Sequence, residues 1–420
     1  PGTPKLEAKG EYDAATQIYR LSLKQSLKAH AKYPNLKAVP IPVALALFDA
    51  KTGEQLALNC TTLFENGVKD GVYLFDQDEV SIEFTGLTEK PVVSLLRNFS
   101  APVNLEFNYS DEELAFLLQY ESNGFNQWQA TQTLLERILL NGHDAKVYVQ
   151  AIQHTLPFVI AKDPLLASRL FDVPSEGYLG SRIDSDYNPL VVNQSRETLL
   201  NTLARELGDF VKDTYESLDP IAQKEFSQAM GVRALKNIML SLMARQGDAQ
   251  VFDFAYEQYQ NSGNMSERLG ALKVLVWNDA PQAQAVLQDF YIRFKDEALS
   301  LDQWFMIQAA HPKATAETIK YLTSHADYDL AVPNRIRSVS GGLNANPVNT
   351  WNFGVQHFID LAKYLDEKNP IVGSRLLQIL SRWYTLAEPQ RSIVKAELED
   401  LKPQAKSKNV VETLNSMLNV

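Results

Sequence analysis

The periodicity of the sequence changes at one stretch, Ser110-Asp111-Glu112-Glu113-Leu114-Ala115-Phe116-Leu117-Leu118. Its first four residues match a capping box, in which a serine side chain accepts a hydrogen bond from the backbone of the glutamate three positions on, and that glutamate reaches back. Leucines then recur at the spacing of one helix face. The stretch therefore predicts a helix start, and a boundary between one domain at residues 1–108 and another at residues 109–420.

Residues 1–108 carry the alternation expected of β-strands. Tyr19, Leu21 and Leu23 alternate with polar residues, so one face of such a strand would be buried. Similar runs predict strands at 19–24, 41–48, 55–60, 71–75, 79–84, 91–96 and 103–108. Short strands separated by turn residues, at intervals of roughly 8–12 residues, are typical of a β-sandwich. We therefore predict a small N-terminal β-sandwich.

Residues 109–420 show apolar residues at helical spacing in one segment after another, each ended by glycine, proline or polar residues. The clearest apolar faces lie at 125–139, 199–211, 235–242, 269–277, 302–310 and 359–380, and Asn141-Gly142 is predicted to end the first. Because the connections are short, neighbouring helices are expected to stack in antiparallel pairs. The predicted fold class is multidomain β + α, with a large α-helical superhelix or solenoid after the sandwich. Asp172–Pro189 is predicted to be an extended surface loop.

Composition limits the classes of function. With 45% hydrophobic and 22% charged residues, the 420-residue chain resembles a globular protein. Its net charge is -11 and it has no basic run, so we expect it to bind neither nucleic acid nor a membrane. No apolar run reaches the roughly 18 residues of a membrane span. Pro1-Gly2-Thr3-Pro4 is unlike a signal peptide and the lone Cys60 fits a reducing compartment, so a cytoplasmic location is expected.

The sequence offers no self-sufficient catalytic site. None of the six histidines begins an H-E-x-x-H motif, with which zinc peptidases place two imidazoles on one helix face. His325-Ala326-Asp327-Tyr328-Asp329 contains metal-ligand types, but a helix end followed by a polar loop explains it more simply. Trp304 and Phe305 are interpreted as core residues rather than as a platform for ligand stacking. We expect no metal or other cofactor in these residues.

Two arginine-bearing segments follow late in the chain, Val332-Pro333-Asn334-Arg335-Ile336-Arg337-Ser338 and Asn369-Pro370-Ile371-Val372-Gly373-Ser374-Arg375. Pro333 suits the first turn of a helix, and Gly341-Gly342 with a short polar loop comes after it. Arg335 and Arg337 are two positions apart, so on a helix they would point to different faces. One arginine can then stabilise the fold, a role that we assign to Arg335, while the other reaches a ligand.

Several segments together resemble the C-terminal half of bacterial aminopeptidase N, a family of zinc metallopeptidases. In chain order they are Gly2-Thr3-Pro4, Ser94–Val103, Phe125–Ala130, Asn264–Ser266, Asp302–Ala309, Pro333–Ser338 and Asn369–Leu376. The resemblance implies a β-sandwich and an α-superhelix, with the zinc ligands and general-base glutamate upstream, in N-terminal and catalytic domains of the same parent chain. It also implies that the helical region caps a chamber entered by small peptides. Residues 1–420 should then be inactive without those upstream domains.

By this resemblance, Arg337 and Arg375 match family positions that face the substrate chamber. Asn334 matches as well, although capping the following helix is a simpler role for it. A guanidinium can hold a peptide carboxylate or carbonyl with about 1.5–3 kcal/mol per charged hydrogen bond. The chain departs from the family at Ile371, where a polar residue is usual, and at Thr350–Val355, where the family has a Phe-His pair and a Gly-rich loop. We predict three substrate-binding residues and no catalytic residue.

Two hypotheses follow. In the first, the chain is the non-catalytic C-terminal region of a zinc-dependent aminopeptidase N, where it caps and gates the substrate chamber. The alternative is a stand-alone α-solenoid adaptor that binds a protein or peptide and has no enzymatic activity. The reading frame separates them, because an adaptor would have its own start codon just before Pro1. A parent peptidase would continue several hundred residues upstream and would contain H-E-x-x-H. A decayed peptidase homologue, a third possibility, would have that upstream region with broken zinc ligands.

Overall fold

The structure, a computed structural model, describes residues 2–28, 36–60, 68–220 and 225–419. Two compact units are distinguished within it, one up to Asp172 and one from Val173 onward. This division falls inside the predicted helical domain, and the boundary between residues 1–108 and 109–420 stays a prediction. The strands are β1 (Lys5–Asp13), β2 (Ile18–Ser26), β3 (Ile41–Phe48), β4 (Val72–Phe75), β5 (Glu79–Phe84), β6 (Val92–Leu95) and β7 (Asn104–Phe107).

The strands of the first unit form two sheets, with the orders β5-β2-β1-β7 and β4-β3-β6. All neighbours are antiparallel except β1 and β7, which pair in parallel. Alternate residues of β2 point inward, since Tyr19, Leu21 and Leu23 are at most 1% exposed. They pack with residues of β3 and β5 in one apolar core. The predicted β-sandwich is thereby confirmed, and β3 and β5 have the predicted limits.

One strand prediction is wrong, and one strand was missed. Residues 55–60 form no strand, because Gln55 and Cys60 make only isolated bridges, to Phe48 and Phe84. Strand β1 was not predicted, although it pairs along its whole length with β2. Its inward side carries Gly10, where a Cβ would collide with the ring of Tyr19. A small residue that makes room for a neighbour weakens the apolar alternation by which strands are predicted.

The first helices begin where the capping box predicts. The Ser110 side chain accepts from the backbone N–H of Glu113, and the Glu113 carboxylate accepts from the backbone N–H of Ser110. The next predicted helix ends at Gly142, which has a φ of 71° and thus a conformation that glycine adopts without strain. The helices of this unit are α1 (Asp111–Tyr120), α2 (Gly124–Asn141), α3 (Ala145–Lys162) and α4 (Pro164–Leu170).

The second unit is helical. Consecutive helices pack on one another, and so do alternate ones such as α8 with α10 and α12 with α14, as expected of a solenoid. The helices are α5 (Glu176–Ser181), α6 (Pro189–Leu207), α7 (Asp209–Ser217), α8 (Phe226–Arg245), α9 (Val251–Asn261), α10 (Met265–Trp277), α11 (Ala283–Phe294), α12 (Ala298–Ala309), α13 (Ala316–Thr323), α14 (Pro333–Asn344), α15 (Pro347–Asn349), α16 (Val355–Lys368), α17 (Pro370–Leu377), α18 (Gln390–Leu401) and α19 (Lys408–Leu418).

Two helical predictions need correction. The single apolar face at 199–211 is divided between α6 and α7 by Gly208, which has a φ of 51°. Asp172–Pro189 is not simply an extended surface loop, because it contains α5 and buries Tyr187. The Tyr187 backbone N–H donates to the Thr385 carbonyl at 2.8 Å. The polar composition of this segment had indicated a loop in solvent, so its helix and its buried tyrosine were not predicted. None of the helices in the described ranges combines the length and apolar character that crossing a membrane requires.

Candidate functional site

A cavity of about 360 Å³ lies between α12 and α14, next to the start of α10. It is lined by Met265, Leu299, Ser300, Asp302, Gln303, Met306, Asn334, Arg337 and Ser338. Three of its residues on α14 recur at positions i, i+3 and i+4, which form one helix face. Two of the residues predicted to bind substrate, Asn334 and Arg337, are therefore brought together in one place.

Helix α14 begins at Pro333, as the sequence predicts. The N-cap is Val332, whose extended backbone suits a residue before proline, and no side chain caps the helix. The capping role considered for Asn334 is therefore wrong, because Asn334 is the second residue of the helix. Its amide oxygen instead accepts from the Arg337 guanidinium at 3.2 Å. This contact holds the two polar groups side by side at the cavity.

Arg335 is part of the packing of the fold, as assigned from its position. The residue is 7% exposed. Its Nε donates to the Asp302 carboxylate at 2.7 Å, and its Nη1 donates to the Asp327 carbonyl. The guanidinium also lies over the Phe305 ring, 5.1 Å from the ring centroid. Because the buried charge is both paired and hydrogen-bonded, it links α12, α14 and the segment between them.

Arg337 has a different environment. It is exposed, and among the described residues no carboxylate lies within the 4.0 Å of an ion pair with it. The one carboxylate in the cavity wall, that of Asp302, is engaged by Arg335. The unpaired charge at this cavity is therefore positive. Such a group is suited to hydrogen-bond an anionic or carbonyl oxygen of a ligand.

Helix α12 presents opposite faces to the cavity and to the core. Leu299, Gln303 and Met306 have the i, i+4, i+7 spacing of one face and line the cavity. Trp304 and Phe305 are 6% and 0% exposed, and the Trp304 indole donates to the Leu287 carbonyl at 3.1 Å. The prediction that these two aromatic residues belong to the core is confirmed. The cavity-facing residues of α12 were not predicted, although their helical spacing was visible in the sequence.

Close packing of α12 and α14 depends on Gly342. A Cβ at this position would lie 2.7 Å from the Met306 carbonyl oxygen and 2.8 Å from the Ala309 Cβ. The sequence suggested that Gly341-Gly342 follows the helix, whereas both residues lie within α14. Since Arg335 contacts Asp302 and Gly342 contacts Ala309, residue numbers rise together along the two helices. The helices are therefore parallel, with α13 between them in sequence.

Arg375, the third residue predicted to bind substrate, does not line this cavity. It lies exposed on α17, and within the part of the chain that the structure describes it makes no ion pair. Asn369 caps this helix, since its side chain accepts from the Val372 backbone N–H at 3.3 Å. Ile371, the position at which the chain departs from the family pattern, is 55% exposed. The structure thus leaves Arg337 and Arg375 on separate helices.

Helix α14 also contacts α16 through His357, which is half-buried. The hydroxyl of Ser340, which is 1% exposed, lies 3.4 Å from Nε2 of His357. Burial lowers the pKa of His357 to about 4 from its ordinary value of 6.5, and the carboxylate of Asp360 opposes this shift only in part. The imidazole is therefore neutral at physiological pH. At that pH the His357 side chain packs as an uncharged group, and it gains a charge only in acid.

The described ranges contain no group of three or more His, Cys, Asp or Glu side chains arranged to hold a metal ion. At the segment that the sequence singled out, Nδ1 of His325 accepts from the Asp327 backbone N–H at 3.2 Å. The His325 ring lies 5.1 Å from the Trp304 ring and 5.6 Å from the Phe305 ring, between centroids. This histidine is thus part of an aromatic cluster.

Comparison with known proteins places these observations in a family. The family described as a domain of unknown function, DUF3458, with an Ig-like fold matches residues 2–108. The family described as the DUF3458 C-terminal domain, with ARM repeats, matches residues 111–419. These two descriptions agree with a β-sandwich followed by a helical solenoid, so the predicted fold class is confirmed.

Two relatives are bacterial proteins named aminopeptidase N. That of Escherichia coli (strain K12) is 29% identical over 419 residues, covering 96% of this chain and 47% of the relative. That of Haemophilus influenzae is 28% identical over 433 residues, covering 99% of this chain and 48% of the relative. The chain thus spans about half the length of the curated relatives it matches.

A solved structure has the same fold. The crystal structure of Legionella pneumophila aminopeptidase A in complex with aspartic acid matches with a TM-score of 0.83 and 23% identity, over 100% of this chain and 49% of that one. At this identity the likeness establishes the fold alone. The two family matches establish family membership as well, because together they cover nearly every residue of the chain. The chain belongs to the DUF3458 family and is a homologue of the C-terminal part of aminopeptidase N.

Proposed function

We propose that the chain is the non-catalytic C-terminal region of a zinc-dependent aminopeptidase N, in which it caps and gates the chamber that admits small peptides. The observation that carries this proposal is the exposed guanidinium of Arg337, which lies in a cavity and has no carboxylate partner among the described residues. The names of the relatives and their double length support it. Arg337 and Asn334 would hold a carboxylate or carbonyl of the peptide, and Arg375 would contact it from α17.

Zinc belongs to the upstream half in this proposal. The described residues offer no fitting ligand set, so no step of the reaction is assigned to them. Their work is to bind and orient a peptide that another part of the parent chain cleaves. The partners of the chain are accordingly the N-terminal and catalytic domains of the parent. We also propose a cytoplasmic location, which the single cysteine of the chain supports.

The test begins with the purified chain. We expect neither stoichiometric zinc nor hydrolysis of amino-acid arylamides, and robust turnover by the chain alone would refute the proposal. Sequencing the gene upstream of Pro1 provides the second test. A frame that continues for several hundred residues and contains H-E-x-x-H would support the proposal. A start codon directly before Pro1 would instead favour a stand-alone α-solenoid adaptor that binds a protein or peptide.

A further inference from the structure

The cavity between α12 and α14 has two unlike walls. The residues of α14 that line it are polar, Asn334, Arg337 and Ser338. Helices α10 and α12 contribute the apolar residues Met265, Leu299 and Met306 beside the polar Ser300, Asp302 and Gln303, and we call the three apolar residues the apolar wall. Leu299 is 75% exposed, so a large apolar side chain lies in water at the same cavity as the cation of Arg337. A ligand that has both a charged group and an apolar group could bind the cation and also remove the apolar side chain from water.

Charge determines which group belongs at the polar wall. The Asp302 carboxylate pairs with Arg335, whose Nε donates to its Oδ1 at 2.7 Å, and the structure shows no ion pair between Asp302 and Arg337. Among the described residues that line the cavity, no other acidic side chain is present. An anion therefore finds a free guanidinium, with the Asn334 side chain beside it. A carboxylate suits this site, because a guanidinium can donate two parallel hydrogen bonds to it.

Size and shape determine what accompanies the anion. The cavity volume of about 360 Å³ lies near the lower end of the range of roughly 300–1,000 Å³ for small-molecule sites. It suits one or two residues of an extended peptide and excludes a folded domain. Two of the three residues of the apolar wall are methionines, whose unbranched side chains adapt to apolar partners of different shapes.

We propose that this cavity selects peptides whose C-terminal residue has a bulky apolar side chain. The terminal carboxylate lies on Arg337, and the side chain lies on the apolar wall. This inference rests on the proposed function and deepens it, because it names the class of peptide that the region retains. Peptides ending in a small polar residue, and peptides with an amidated C-terminus, each lose one of the two contacts.

Direct binding to the full chain tests the proposal. Three N-acetylated tripeptides serve as probes: acetyl-Ala-Ala-Leu with a free carboxylate, the same peptide as an amide, and acetyl-Ala-Ala-Ser with a free carboxylate. Acetylation removes the N-terminal amine, so binding does not depend on a catalytic half. By isothermal titration calorimetry, we expect the free-acid leucine peptide to bind at least about fivefold more tightly than either of the others.

Two variants assign the preferences to the two walls. Leu299→Ser should remove most of the preference for leucine over serine and leave the preference for acid over amide. Arg337→Gln should do the reverse. The matched control is Ile292→Ser, because Ile292 is 61% exposed on α11 and does not line the cavity. Circular dichroism spectra of all three variants would check that they are folded.

Each contrary result has a definite meaning. If the leucine and serine peptides bind equally while the acid still binds better than the amide, the role assigned to the apolar wall is wrong. The carboxylate contact with Arg337 would then still be supported. If no probe binds at millimolar concentration, or if Leu299→Ser and Ile292→Ser behave alike, the inference is overturned. The proposed function fails separately, through the zinc content of the chain or the reading frame upstream of Pro1.

Discussion

Arg335 and Arg337 stand two positions apart on α14 and have opposite environments. The Nε of Arg335 lies 2.7 Å from the Asp302 carboxylate, and the residue is 7% exposed. Arg337 is exposed, and its one described hydrogen bond joins Nη1 to Asn334 at 3.2 Å. The spacing of two residues on a helix of 3.6 residues per turn produces this separation. One motif thus contains a structural cation and a free one.

We expect Arg335→Met to lower the free energy of unfolding by up to about 3 kcal/mol, because it leaves the half-buried Asp302 carboxylate without its partner. Urea denaturation followed by circular dichroism would measure the loss. Arg337→Met is the matched control on the same helix and should cost no more than about 0.5 kcal/mol. The double variant Arg335→Met with Asp302→Leu should be more stable than Arg335→Met alone. Equal losses for the two single arginine variants would contradict this assignment.

Gly342→Ala should destabilise the second unit by about 1–3 kcal/mol, since its methyl group has no room against Met306 and Ala309 unless the helices move apart. Gly341 provides the control. A Cβ there would have only the Met306 Cε nearby, at an ordinary 3.7 Å. Gly341→Ala should therefore be neutral, or stabilising by up to about 1 kcal/mol through helix propensity. Thermal melting of both variants tests the pair, and a larger loss for Gly341→Ala would refute the explanation.

The His357 side chain should make stability depend on pH. Its pKa is lowered in the folded chain, to about 4 against 6.5, so between these values the unfolded chain binds a proton that the folded chain does not. Stability from this residue is complete above pH 6.5 and declines as the pH falls toward 4, by about 3 kcal/mol. His357→Gln should flatten this slope in urea titrations at successive pH values. Ser340→Ala, which removes the neighbour but no titrating group, should keep it.

In the proposed parent enzyme, with the chain joined to a catalytic half, Arg337→Ala and Arg375→Ala should weaken turnover of a peptide more than that of an uncharged arylamide. Only the peptide offers a downstream carboxylate. Loss of one charged hydrogen bond, at about 1.5–3 kcal/mol, corresponds to a decrease of roughly 10- to 150-fold in kcat/KM for the peptide. Steady-state kinetics on both substrates would decide the matter. Equal losses on the two substrates would argue against substrate-binding roles for these arginines.

Local patterns predicted much of the fold. The capping box at Ser110 and the glycine stop at Gly142 involve neighbours in sequence, and the structure has both as predicted. Strand β3 was predicted equally well, because its residues form one apolar run, and six of the eight are buried. Features that serve distant partners were harder to predict. Gly10 is small to make room for Tyr19, and Gly342 is small to make room for α12. Each resembles a breaker or a weak position until its partner is known.

The candidate site shows the same division. The resemblance and the spacing of the arginines led to the prediction of Asn334 and Arg337 as site residues, and both line the cavity. The apolar wall was missed, because Met265 and Leu299 lie on different helices and the sequence does not tell which helices adjoin. The capping role considered for Asn334 failed for a related reason. Pro333 starts the helix two residues earlier than a cap at Asn334 would require.

The parallel pair α12 and α14 has a consequence for the entropy of binding. Gly342 fixes the two backbones at one end of the contact, and the Arg335–Asp302 pair fixes them again one to two turns away. A ligand that enters the cavity therefore meets groups already in position, and little backbone order has to be created when it binds. Preorganisation of this kind improves affinity by lowering the ordering cost rather than by adding contacts. The close packing of the two helices thus lowers the entropic cost of binding a ligand in the cavity.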